Sequence, residues 1–481
     1  MQPGHTMGAD GSRQHAVIAR AKAWSLALVA ASLLGAPAWA LAGCASHQRA
    51  VVPPPRGPAE QRGDATTDHR DAREAVPFIH DDYERAALEA KRTKRPLFVD
   101  AWAPWCHSCL SMRAYVLSDR SLAPLANDFV WLSIDTDKES NAPFLARFPS
   151  HAWPTLWVLD AERGAPLLRW EGTATAPELV TLLAMARDGA REGAAEATVA
   201  FLRASQAASR GDAMTAERAY REMLGRKDFP ERARVVEALV GLLASKKDHA
   251  ACAELALVEA PRMAPGTSRA TVLATGLSCA REGSLGPETW KLAEEAQRVA
   301  SDPDPRTLAD DRSALFEEVL ETRKAQGDEA AAKRLARSWA SFLEREASAA
   351  STKQGRAVFD AHRLLAYLAS GEPERAVPML LQSERDFPDD YNAPARLARA
   401  YLTMKQLEDA RAAIGRASSR VYGARSLRVL SLAADVAKAR GDVAGERASL
   451  EQALTRTERA VLTDNQKKLR AELDKRLREL R

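Results

Sequence analysis

Hydrophobic and polar positions follow two different rhythms along this chain, and the change falls near residue 190. Residues 96–103 form a mostly apolar run that reads as a buried strand, and shorter runs at 129–135, 156–160 and 167–170 read the same way. Between and around them, 81–94, 110–117 and 178–188 place apolar residues at helical spacing. Helix and strand therefore alternate over 77–190, which predicts a mixed sheet with helices on its faces.

Beyond residue 190 strand-like alternation all but stops, and 191–481 reads as a series of amphipathic helices. A turn residue followed five positions later by alanine recurs as Gly211/Ala216, Lys246/Ala251, Gly327/Ala332, Gly371/Ala376 and Lys405/Ala410. The first position ends one helix, and the small alanine lets the next pack closely against it. Ala366, Tyr367, Leu368 and Ala376 return 34 residues later as Ala400, Tyr401, Leu402 and Ala410. This resembles the tetratricopeptide repeat, whose period is about 34 residues. Tyr367, Ala376, Leu380 and Pro388 match that family's pattern in one unit, and Tyr401, Ala410, Ile414 and Ala417 in the next. The resemblance implies an all-α solenoid of six or seven helix pairs with a face for a protein partner. The plainer expectation is that the repeats only space the first domain or dimerise the chain.

Candidate chemistry begins where the strand 96–103 meets the helix 110–117, at Cys106-His107-Ser108-Cys109. A thiol at the start of a helix faces unpaired N–H groups and the positive end of the dipole. Both favour the thiolate and lower its pKa from about 8.5 toward 7 or below. Zinc would need more ligands than this pair with His107 or His151, and no second Cys pair has ligand spacing. A c-type haem would need histidine where Leu110 stands, and a purely structural Cys-x-x-Cys bridge closes too small a loop to stabilise much. Redox chemistry is the reading, with no metal and no cofactor beyond the Cys106–Cys109 pair.

The stretch Phe98-Val99-Asp100-Ala101-Trp102-Ala103-Pro104-Trp105-Cys106-His107-Ser108-Cys109 resembles thioredoxin almost residue for residue. Trp153-Pro154-Thr155 matches that family's cis-proline loop and Gly172 its late glycine, so the resemblance spans 77–190. It implies Cys106 as nucleophile, Cys109 as resolving thiol and Asp100 as a buried proton shuttle. Trp105, His107, Trp153, Pro154 and Thr155 would contact the substrate. Two residues depart from the family: His107-Ser108 replaces Gly-Pro between the cysteines, and Trp131 stands where a lysine often neighbours the buried acid. The helix 81–94, the segment 95–100 and Ser118-Asp119 look more like the C-terminal periplasmic domain of bacterial membrane thiol-disulfide reductases. The short connections leave no room for an inserted helical domain between Asp135 and Trp153, which favours reductase or isomerase over oxidase.

Composition adds location. Arg13, Arg20 and Lys22 precede an apolar stretch at 23–34 that is too short for an ordinary membrane span. Leu41-Ala42-Gly43-Cys44 then resembles the bacterial lipoprotein box, implying a signal peptide over 1–43 and a lipid on Cys44. Ala38-Trp39-Ala40 offers the alternative of cleavage and release. Residues 44–76, rich in Pro, Arg, Asp and Gly, read as a disordered tether. The expected place is the periplasm-facing cell envelope, anchored through lipid, with Ala45 pointing to the outer membrane. A formal charge of +4 on 481 residues, without a basic patch interleaved with aromatics, argues against nucleic acid. Six of the ten tryptophans fall between Trp102 and Trp170, marking the first domain off from the second.

The remaining cysteines, Cys252 and Cys279, lie equally far from a turn at Pro265-Gly266. A helix hairpin there sets them side by side, as a structural disulfide or as two buried thiols. The expected function is thiol–disulfide exchange on protein disulfides or thiols, with a second redox protein to recharge the pair. The rival is a lipoprotein scaffold whose repeats bind partners while the dithiol is secondary.

Overall fold

The computed structural model describes residues 75–150, 152–189, 193–227 and 229–480. The signal peptide expected over 1–43, the lipid site expected at Cys44 and the tether expected after it, up to residue 74, lie outside the described residues. Among the described residues, no helix is long and apolar enough to cross a membrane.

Five strands, β1 (Phe78–His80), β2 (Leu97–Trp102), β3 (Val130–Asp135), β4 (Thr155–Leu159) and β5 (Pro166–Glu171), line up as β1-β3-β2-β4-β5. β3 runs parallel to β1 and β2, and β4 runs antiparallel to β2 and β5. The sequence reading opened this domain on a helix and missed β1. Its three residues are half-buried and pair Phe78 with Trp131, too short a run to display a period. The helices are α1 (Tyr83–Thr93), α2 (His107–Ser111), α3 (Ala142–Arg147) and α4 (Ala176–Asp188). α2 continues as a π-helical turn, Met112–Val116.

β2, β3 and β4 are buried at every residue, so their apolar runs serve both faces. Leu97, Val99, Ala101, Leu132 and Ile134 pack with Ala86 and Ala90 of α1 and Phe144 of α3. Phe98, Trp131, Leu156 and Val158 face Met112, Val116 and Leu179, and this layer runs without a break into the core of the helical domain. Alternation puts Asp100 on that second face, the one that carries the dithiol helix.

From Glu196 to Glu479 the described residues form sixteen α-helices. Fourteen make seven sequential pairs, the first Glu196–Ser209 with Ala213–Gly225 and the last Ser426–Ala439 with Val443–Arg456. Lys353–Ala357 is a short extra turn, and Asp464–Glu479 closes the array. The turn residues are left-handed at Gly211 (φ 78°), Gly327 (75°), Gly371 (84°) and Lys405 (60°), and Ala216, Ala332, Ala376 and Ala410 are buried five residues on. One unit corrects the sequence reading. The left-handed residue is Lys247 (φ 60°), not Lys246, so Cys252 and not Ala251 takes the small buried position. Lysine at both candidate positions hid the shift.

Helices His249–Glu259 and Thr267–Glu282 come close enough that a Cβ on Gly276 would lie 2.2 Å from Cβ of Ala256. Gly276→Ala gains about 1 kcal/mol of helix propensity but overpacks a contact worth about 1–3 kcal/mol. Overpacking wins, because the obstacle is a short side chain fixed to its own helix. A lowered urea midpoint is expected, and an unchanged or raised one contradicts this close approach.

Candidate active site

Cys106 stands at the N-cap of α2, and its Sγ accepts the backbone N–H of Cys109 at 3.0 Å. The Ser108 hydroxyl lies 3.4 Å from the same sulfur and donates to the carbonyl of Trp153 at 3.3 Å. The dithiol turn thus touches the loop that precedes β4, in which the Trp153–Pro154 peptide is cis. The Trp105 and Trp153 rings meet edge to face at 5.2 Å, and Thr155 donates its hydroxyl to the carbonyl of Ala152 at 2.7 Å. Cys106 and Cys109 are joined in the structure. Any thiolate formed at Cys106 would sit where the helix's first N–H groups converge, so exchange chemistry is favoured there.

Asp100 is fully buried on β2, and its partner is one that sequence reasoning missed. Arg113, on the turn that extends α2, places Nη1 3.4 Å from Asp100 Oδ2 and donates to Ser133 Oγ at 2.8 Å. Its guanidinium also lies over the Trp102 ring at 4.3 Å. Trp131 is a core residue here, with its ring 4.9 Å from that of Phe98. The cation beside the buried acid comes instead from the dithiol helix. Six residues of chain separate Cys106 from Arg113, two turns of helix that carry the guanidinium inward beside the acid.

The helical domain covers this face. His107 Nδ1 donates to the carboxylate of Asp310, 2.9 Å from Oδ2, and its ring lies 3.9 Å from that of His362. Burial works against a charged His107, but the charge and hydrogen bond of Asp310, followed by the charge of Glu317, raise its pKa above the ordinary value. Asn392 donates to the carbonyl of Pro104 at 3.1 Å, and Tyr115 donates to the carbonyl of Gly355 at 3.0 Å. Cys106 is 5% exposed and Cys109 not at all, packed with Trp102, Ala103, Trp105, Leu110 and Trp153 of their own domain, while the repeats hold the residues on either side, Pro104 and His107. Trp105 and His107, placed at the substrate contact by the resemblance, are both held by the helical domain.

A second polar contact flanks the dithiol. Trp105 Nε1 donates to Asp137 Oδ2 at 2.7 Å, and the Arg425 guanidinium lies over the Trp105 ring at 4.8 Å. Tyr422 donates to Asp135 Oδ2 at 2.5 Å, and Tyr391 to Asp137 Oδ2 at 3.4 Å. Burial pushes Asp135 up to about 6, and burial plus the charge of Asp135 push Asp137 up to about 7. On the α4 side, Asp311 accepts from Thr173 at 2.8 Å and from Thr267 at 2.6 Å, and burial raises it to about 7. The sequence offered no sign of these partners, since Asp137, Asp310 and Tyr422 look like ordinary turn and helix-surface residues.

Cys252 and Cys279 are also joined, with Cα atoms 6.2 Å apart, in the second and third helix pairs. They lie on neighbouring helices on either side of the turn at Pro265-Gly266.

The model of the thioredoxin-like family matches residues 78–161, and that of the tetratricopeptide repeat matches residues 367–434. Among solved structures, a tetratricopeptide repeat protein from Parabacteroides merdae is 11% identical, with a TM-score of 0.38 over 58% of this chain and 98% of its own. The assembly chaperone of RpL4, Acl4, is 16% identical, with a TM-score of 0.28 over 59% of this chain and 98% of its own. No curated protein matches the chain.

Proposed function

We propose that this chain, which joins a thioredoxin-like domain to tetratricopeptide repeats, is a protein thiol–disulfide oxidoreductase of the reductase or isomerase kind. The thiolate of Cys106 attacks one sulfur of a substrate disulfide, and the other substrate sulfur leaves as a thiolate and takes up a proton. Cys109, losing its proton toward Asp100, then attacks Cys106 Sγ and releases the second substrate sulfur. The chain ends with Cys106–Cys109 oxidised, and a reduced thiol protein of the same compartment must restore the pair. Trp153-Pro154-Thr155 offers backbone to an extended substrate segment. The repeats bind a protein partner and, by lying over the dithiol, set which substrates reach it. In this reading the protein works in the bacterial cell envelope, lipid-anchored at Cys44.

The observation that carries the proposal is the sulfur of Cys106 capping α2 beside a cis-proline loop. A Cys109→Ser variant cannot resolve the mixed disulfide, so it should accumulate partners bound through Cys106, detectable on non-reducing gels and lost in Cys106→Ser. The deep burial of Cys106 favours a second reading, a scaffold whose repeats carry the function while the dithiol is secondary. That reading prevails where Cys109→Ser captures nothing and deletion of the repeats abolishes function.

A further inference from the structure

We propose that His107, Glu317 and His362 bind one divalent transition-metal ion of the zinc class, joining the dithiol loop to the repeats. The three residues each bring a ligand atom within 4.8 Å of the others, and they come from three different elements. His107 opens α2, Glu317 lies on the helix Ala309–Ala325, and His362 lies on Asp360–Ser370. Two imidazoles and one carboxylate are a donor set that suits zinc, with bonds of about 2.0–2.2 Å.

The environment is arranged as a metal site requires. His107 Nδ1 is engaged by Asp310, which leaves Nε2 as the ligating atom. His362 Nδ1 lies 2.6 Å from Ser313 Oγ, and Ser313 also accepts the Trp339 indole N–H at 2.8 Å. Both histidines are thus oriented through the nitrogen that would not touch the ion. His362 is 1% exposed, and its Nε2 has no hydrogen bond. It lies 3.2 Å from Glu317 Oε2 without the alignment of one, the arrangement of two ligands awaiting an ion between them. Arg396 works against a cation at this place, while Asp310 and Glu317 set two carboxylates against it. The Glu317 side chain is 36% exposed, which gives the ion a route in and leaves room for a water as fourth ligand. The sequence reading considered His107 only together with the cysteines. Here the histidine next to Cys106 is turned away to a site of its own, and the site stands whether or not the dithiol exchanges.

Bound there, the ion fixes the residue next to Cys106 to two helices of the repeats and holds the cover closed. The test uses the full chain with its disulfides oxidised, stripped with a chelator and titrated with zinc or cobalt(II). One ion per chain is expected, with visible cobalt absorption and no thiolate charge-transfer band. Glu317→Gln, His362→Gln and His107→Gln should each weaken binding about tenfold or more, and a Cys106→Ser/Cys109→Ser variant should bind as the parent does. Glu317 sits at the open edge of the site, so its variant keeps the test valid should a buried histidine variant fail to fold. Failure to bind, undiminished binding in Glu317→Gln, or loss of binding in the cysteine variant overturns the proposal.

Discussion

Gly423→Ala is expected to expose the dithiol while leaving both domains folded. Gly423 has φ 58°, and a Cβ built on it would lie 1.8 Å from the backbone carbonyl oxygen of Asp137. The left-handed backbone alone costs a non-glycine residue about 1–2 kcal/mol. The overlap is with main chain, which has no rotamer to escape into, so the turn 423–425 must back away from the sheet domain. Tyr422 and Arg425 flank the glycine, so the same movement pulls them from Asp135 and from the Trp105 ring. After reduction, Cys106 in the variant should react with iodoacetamide at least about tenfold faster than in the parent, the factor that 1.4 kcal/mol buys. Far-ultraviolet circular dichroism should be unchanged. Equal rates at Cys106 mean that the turn at Gly423 does not hold the cover.

The second large effect is on pH. Asp135, Asp137 and Asp311 all carry pKa values raised by burial where the two domains meet. Released to solvent, each returns to an ordinary value of about 4. A carboxyl whose docked pKa is the higher one contributes fully to docking below that ordinary value. The contribution is lost as pH rises through the docked values of about 6 and about 7. His107, raised chiefly by Asp310 against burial, has the same sign and is lost as pH climbs past its docked value. In the metal-free protein His362, lowered chiefly by burial, acts in the opposite sense as pH falls below its ordinary value of about 6.5, one imidazole against three carboxyls, and Glu317, also lowered, does so only below its ordinary value of about 4.5. Around Asp137 the facing groups are Asp135, Trp105, Tyr391 and Arg425, and the one cation among them is itself disfavoured by burial. The domains should therefore separate more readily at pH 8 than at pH 5. Small-angle X-ray scattering, which does not depend on thiol ionisation, should report a larger radius of gyration at the higher pH. Asp137→Asn removes one of the charges that docking must neutralise, and should open less than the parent as pH rises, since Asp135 and Asp311 remain. A parent that is equally compact at both values, or a variant that opens as the parent does, contradicts this electrostatic account.

How much of this the sequence disclosed depended on how local each feature is. The strands β2, β3 and β4 announced themselves as apolar runs, and the dithiol lies between a strand and a helix that are contiguous with it. Asp100, Trp153 and Pro154 were legible because a known pattern fixes them relative to the cysteines. β1 was not, since three half-buried residues carry no period. Arg113 was missed because an arginine on an amphipathic helix reads as solvated, and only the fold turns it beneath Trp102. Asp310 lies 203 residues from His107, and Asn392 lies 288 from Pro104. No window along the chain holds both members of either pair. The repeats were read as a surface for another protein, and part of that surface is taken up by the chain's own dithiol turn.

Everything functional here rests on the repeats holding the turn on both sides of Cys106, at Pro104, Trp105 and His107, which should leave its sulfur open to small molecules and hindered toward large ones. The direct measurement reduces the native protein and maps labelling of the Cys106 peptide by mass spectrometry, with iodoacetamide in one series and a polyethylene glycol maleimide of several kilodaltons in the other. Relative to each reagent's rate in the urea-unfolded protein, the large reagent should be slowed far more than the small one. Equal relative rates for the two reagents would show an open dithiol and remove the cover from the account.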